Sequence, residues 1–291
     1  MDTRHIVRVA YTGTFGPVER QDEDQYIADA TPTPLGPLNP AIPGATFIAK
    51  LSTGWAKYKE EAVIAPVESD WDNYLLRCDL GMDAYDREYW EGSLRLGLFT
   101  TLTDEEKWDY EGKGTYQTDD MSFRGADVNA NIGWAITSES KYLSVAPLVN
   151  IGYRRVEFSR GKISTTSTTV PQLGENDENF NVSYAGLGAR VELGPVNNMS
   201  FYGSGYWAPL VYAPINNSEL GRTTCDQGTI WHAEGGCDYS LSEKFDVNLG
   251  GFWDLQHLER ADRIDNGIVN IETPENKLET FGLTLGGQYR F

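Results

Sequence analysis

Residues 278–291, LETFGLTLGGQYRF, alternate in character without a break up to the last position of the chain. Phe281, Leu283, Leu285, Gly287, Tyr289 and Phe291 fall on one face of an extended strand, and Thr280, Gly282, Thr284, Gly286, Gln288 and Arg290 on the other. A strand of this length with one apolar and one polar face suits a bilayer-spanning β-barrel, so recurrence of the pattern decides the fold. It recurs. Ala126, Val128, Ala130, Ile132 and Trp134 oppose Asp127, Asn129, Asn131 and Gly133, and Leu143, Val145, Val149, Ile151 and Tyr153 oppose Ser144, Asn150, Gly152 and Arg154. Segments 182–193, 229–241, 245–256, 74–84 and 93–102 behave alike, while 199–212 leaves its outward face open.

The alternation alone also fits a soluble sandwich with its aliphatics inside. Connection lengths separate the two. Short turns (137–141, 195–198, 242–244) alternate with long polar stretches (104–120, 159–179, 213–227, 259–277), as in a closed antiparallel transmembrane barrel with short periplasmic turns and long extracellular loops. The pattern predicts a single barrel domain over 1–291. Nine strands lie from residue 73 onward. IVRVAYTGTF (6–15), ATFIAKLSTGW (45–55) and AVIAPV (62–67) raise the preferred count to twelve, with 16–44 as an acidic, Pro-rich loop. The alternative is ten strands, with the first 44 residues outside the wall or in the lumen.

Composition narrows the function. No apolar run reaches the roughly 20 residues of a spanning helix. With 24 Lys and Arg against 43 Asp and Glu the net charge is -19, which disfavours a nucleic-acid partner. The start, Met1-Asp2-Thr3-Arg4, lacks a secretory signal, so a bacterial outer-membrane location implies a signal already removed. Expected partners are membrane lipid, lipopolysaccharide and the barrel-assembly machinery, for which Tyr289 and Phe291 are read as the assembly signal. No cofactor and no metal site are expected, since no His, Cys, Asp or Glu spacing is specific enough.

The inward phase places Lys50, Arg77, Arg95, Arg154, Arg190 and Arg290 against Asp79, Asp127, Glu192, Glu234, Asp238, Asp246 and Asp254, with His232 among them. Such a lumen is either a polar channel or a salt-bridged filling, because ten to twelve strands sit between filled and open barrels. Glu234, Asp238, Asp246 and Asp254 concentrate acid on two neighbouring strands, which would attract cations unless arginines counter them. The first functional expectation is a narrow passive channel for small neutral or cationic solutes. A non-conducting structural or adhesive surface barrel is another.

A third comes from 68–73, ESDWDN. Glu68 and Asp70 precede Trp71, with Asp72 after it, and LRLGLFTT follows at 94–101. In this the chain resembles the omptin family of outer-membrane proteases, which implies a ten-stranded barrel with an acidic catalytic pair, Glu68 and Asp70, in an extracellular loop. The family also needs an Asp-x-His pair near the rim. The corresponding RVEFSRGKIS (155–164) has no histidine, and Asp254 and His257 fall on opposite faces. The acidic loop clusters 104–114, 174–179 and 259–265 are candidate contacts for divalent cations.

Three cysteines remain. Cys225 is expected in a loop and Cys237 near the far end of the next strand, roughly 30 Å away at about 3.3 Å per residue. That excludes a disulfide between them. Three free thiols are predicted, with Cys225 the most accessible to a water-soluble reagent.

Overall fold

The computed structural model describes residues 44–61, 67–86, 90–110, 114–137, 142–166, 175–196, 198–218, 221–225, 227–259, 261–265 and 270–291. In chain order the strands are β1 (Gly44–Glu61), β2 (Val67–Asp86), β3 (Trp90–Thr101), β4 (Asp104–Tyr110), β5 (Gly114–Gly133), β6 (Ile136–Thr137), β7 (Leu143–Thr165), β8 (Asn176–Val196), β9 (Met199–Asn217), β10 (Gly221–Cys225), β11 (Gly228–Ser240), β12 (Phe245–Leu258), β13 (Ala261–Asp265), β14 (Asn270–Thr273) and β15 (Glu275–Arg290). The wall runs β1-β2-β3-β5-β7-β8-β9-β11-β12-β15 and closes where β15 pairs with β1 from Thr46↔Arg290 to Glu61↔Glu275. Every pairing is antiparallel.

The wall therefore has ten strands, which corrects the preference for twelve. β1 is hydrogen-bonded to β15 on one side and to β2 on the other along its length. No place remains beside it for a further strand. Glu61 of β1 pairs with Glu68, and Val67, the last residue of AVIAPV, begins β2. Residues 62–66, the strand at 6–15 and the loop at 16–43 lie outside the described residues.

Alternation sorts the residues as expected. Leu143, Val149, Ile151, Leu187, Val191 and Leu249 face outward and are exposed, as are Leu283, Leu285, Tyr289 and Phe291. The face of β9 was ambiguous for two physical reasons. Its inward side carries the rings of Tyr202 and Tyr206, and its register with β8 shifts between Ser183↔Tyr212 and Tyr184↔Leu210. That irregularity turns Tyr212 outward and Ala213 and Ile215 inward.

The long connections are also more ordered than expected. Much of 104–120, 159–179 and 213–227 continues the strands or adds β4 and β10, and β13 and β14 form a separate pair within 259–277. The extended ladders bury their inward side chains, Arg160, Asn176 and Glu178 on β7 and β8 and Ala213, Ile215 and Cys225 on β9 and β10, the last three within the apolar core above the ionic part of the lumen. A second small cluster, Val67, Trp108 and Tyr116, fastens β4 to β2 and β5.

Candidate functional site

All fourteen ionisable residues expected in the lumen lie on the inward phase of their strands. From the rim with short turns upward, the lumen starts as a polar vestibule, a cavity of about 100 Å³ whose lining includes Lys50, Arg95, Arg190, Tyr202, Glu234 and Asp238. Arg290 pairs with Asp246 at its mouth. Arg190 bridges Glu192 (2.7 Å) and Asp83 (3.1 Å), and Asp83 also holds Arg95 at 2.5 Å. Lys50 crosses the barrel to Glu234 at 2.9 Å.

Above the vestibule lies a continuous ionic layer. Arg77 contacts Asp79 (2.7 Å), Asp127 (3.1 Å) and Asp254 (3.6 Å). Arg154 contacts Asp254 (3.1 Å) and Asp127 (3.6 Å), and His232 Nδ1 lies 2.9 Å from Asp254 Oδ1. The His232 ring stacks on Tyr206, which stacks on Tyr184. Two glycines make room. A Cβ on Gly97 would stand 2.6–2.8 Å from Asp127 Oδ1, Arg77 Nη2 and Asp79 Oδ1, and one on Gly152 would meet the Tyr184 ring at 2.3 Å.

The acid stripe is thus countered. Glu234, Asp246 and Asp254 each have a cationic partner, while Asp238 accepts hydrogen bonds from Asn248 (2.7 Å) and Gln288 (2.6 Å). Above it, an apolar layer fills the lumen: Leu75, Phe99, Phe123, Val156, Val182 and Ala208, then Tyr58, Trp71, Phe158 and Phe180, all buried. The rings interlock, with Phe158 centred 4.6 Å from Tyr58, 5.5 Å from Phe123 and 5.3 Å from Phe180. At the far rim Arg160 sits among Glu60, Glu106 and Glu178.

Sequence reasoning missed Asp83, the apolar layer and the Arg160 cluster. The signal was present in the phase of β7: continuing Arg154 by twos gives Val156, Phe158 and Arg160, all inward. Reading 159–179 as loop cut that phase short.

The omptin-like residues are not assembled. Glu68 and Asp70 are not in a loop but on β2, exposed on the outer wall, because the inward phase there belongs to Ser69, Trp71 and Asn73. Glu68 is paired with Lys59 at 3.0 Å. His257 Nε2 does meet a carboxylate, Glu275, at 2.8 Å, but this pair also lies on the outer face, where Lys277 holds the same carboxylate. Glu68 and Glu275 both pair with Glu61, so they flank it on the outer wall, two strands or about 10 Å apart. Asp254 points inward, away from His257. None of the three cysteines forms a disulfide, as expected, but Cys225 is fully buried among the apolar side chains of the upper lumen. It is therefore not the accessible thiol; Cys78 and Cys237, half-buried, are more open.

No family model matches the chain, and no curated protein does. Among solved structures, the outer-membrane protease OmpT of Escherichia coli superposes over 87% of this chain and 98% of its own, with a TM-score of 0.62 and 11% identity. The translocator domain of the autotransporter NalP of Neisseria meningitidis covers 87% of this chain and 91% of its own, with a TM-score of 0.41 and 14% identity. The first of these likenesses establishes a shared outer-membrane-type barrel fold.

Proposed function

We propose that the chain is an outer-membrane barrel, set with its long connections toward the cell exterior, whose lumen does not conduct and which serves as a structural or adhesive surface protein. The apolar layer of Tyr58, Trp71, Phe123, Phe158 and Phe180 carries this reading, because interlocked rings, each almost inaccessible to solvent, stand between the vestibule and the far rim. Against the channel reading also stand the ion pairs that consume the charges of the vestibule.

Membrane insertion is supported by the outer wall. Rings or thioethers stand eight residues apart on the outward phase of five strands: Phe47 and Trp55, Met82 and Tyr74, Tyr239 and Trp231, Phe245 and Trp253, Tyr289 and Phe281. Eight residues are about 26 Å of strand, or about 20 Å of height at a tilt of about 40°, near the apolar band of about 25 Å in such barrels. Lys57, Lys59, Lys277, Arg124 and Arg155 all face outward on the long-connection side of that band. Cations in this position suit the phosphates of lipopolysaccharide. Omptin-type proteolysis is not part of the proposal, since its acidic pair and the rim histidine stand on the outer wall.

The test is a planar-bilayer recording of the refolded protein. The expected result is the baseline of the bare bilayer at salt and voltage where a known porin gives steps. Reproducible single-channel steps from the parent protein would overturn the reading.

A further inference from the structure

Beyond the upper row of outward aromatics, five chain segments converge on one buried guanidinium. Arg160 of β7 meets Glu106 of β4 (2.7 Å), Glu60 of β1 (3.1 Å) and Glu178 of β8 (3.4 Å), and its guanidinium lies 5.6 Å from the rings of both Tyr58 and Trp108. Asp119 of β5 completes the group, accepting hydrogen bonds from Trp108 Nε1 at 3.1 Å and Gln117 Nε2 at 3.4 Å. The Tyr58 hydroxyl donates to Glu60 at 2.8 Å, and the Ser69 hydroxyl of β2 donates to Glu106. All four carboxylates and Arg160 are buried. Full ionisation would leave four negative charges around one positive charge out of water, which the Coulomb and desolvation costs forbid. The closed arrangement must therefore hold protons that an opened, hydrated one would release.

We propose that Arg160 and these four carboxylates form a latch, tightened by acid and loosened by alkali, that holds the β4–β5 hairpin and the upper ends of β1, β7 and β8 over the apolar layer. Burial, with the neighbouring carboxylates, pushes Glu60 and Asp119 each up to about 7. Burial likewise pushes Glu178 up. For Glu106 burial acts in the same direction but is outweighed by the Arg160 guanidinium and the Ser69 hydroxyl, which hold it below its ordinary value. The signs follow. A raised carboxyl contributes its full stability below its unfolded value, near 4, and loses it as pH rises through about 7. Opening of the latch then increases about tenfold per pH unit per group between about pH 5 and 7 and levels off above about 8. Glu106 acts with the opposite sign, but only below its ordinary range, so measurements above pH 5 isolate the raised carboxyls.

Hydrogen exchange of the full-length protein, corrected for intrinsic rates, tests this between pH 5.5 and 8.5. Amides of 104–110 and 114–122 are expected to open at least about thirtyfold more at the higher pH. Amides of the β2–β3 ladder, remote from the latch, should stay level in the same sample. In the Glu60→Gln, Asp119→Asn double variant the hairpin should lose most of this dependence while staying closed, because the amides keep the shape without the titration and only Glu178 still titrates. A level hairpin profile in the parent overturns the proposal, and so does an equal rise in the β2–β3 ladder or an undiminished rise in the double variant.

Discussion

Phe158→Ala is expected to destabilise the folded barrel by about 3–5 kcal/mol, the usual cost of removing a buried aromatic ring. Phe158 is 1% exposed and touches Tyr58, Phe123 and Phe180 at once, so its loss leaves a cavity in the middle of the apolar layer. The wall cannot collapse into that cavity, because ten hydrogen-bonded strands fix its circumference. Urea unfolding of the protein in lipid vesicles measures the cost. As a comparison, truncating Leu285, 60% exposed on the outer wall, should change stability far less. A Phe158→Ala barrel within about 1 kcal/mol of the parent would mean that the layer is loosely packed and that the lumen is not sealed as described.

The second large effect is expected at Asp254. This carboxylate is shared by Arg154, Arg77 and His232, and it is nearly inaccessible. Asp254→Ala strips a common acceptor from two buried guanidinium groups, leaving them to Asp127 and Asp79. Breaking a buried ion pair from one side costs about 3–5 kcal/mol, because the remaining charge is neither hydrated nor paired. Replacing both members of a pair costs much less. The Arg154→Met, Asp254→Leu double variant should therefore unfold closer to the parent than Asp254→Ala does, by the same urea titration. If the double variant is the weaker, the layer depends on charge itself rather than on balanced charge.

Much of this fold was legible because a barrel writes its wall as period two. Leu187, Leu249 and Leu283 could be placed outward, and Arg77, Asp127 and Asp254 inward, from parity alone. Parity says nothing about how many strands close the ring. That depends on Arg290 finding Thr46 as its partner, a contact between the two ends of the described wall. Parity also fails to show which inward groups meet across the lumen. Lys50 and Glu234 are 184 residues apart and on strands that are not neighbours, so only the barrel's diameter and stagger bring them together. The Arg160 cluster stayed hidden for a different reason. Its acids sit in stretches so polar that they read as loops, although each faces a buried guanidinium. Glu68 and Asp70 erred in the other direction: the acidic pair beside a tryptophan resembled a motif, but one residue of phase turned it to the outer wall.

Closure of the lumen is the central claim, and one-sided access to the vestibule tests it most directly. Ser204 lines the vestibule. A Ser204→Cys variant, with Cys78, Cys225 and Cys237 replaced by alanine, would be reconstituted in vesicles with the long connections facing out, an orientation fixed by protease digestion. A membrane-impermeant thiol reagent added outside should leave the new cysteine unmodified until detergent opens the vesicles. Under the same conditions Lys162→Cys on the outer rim should react at once. Modification of Ser204→Cys from outside at a rate near that of Lys162→Cys would contradict a closed lumen.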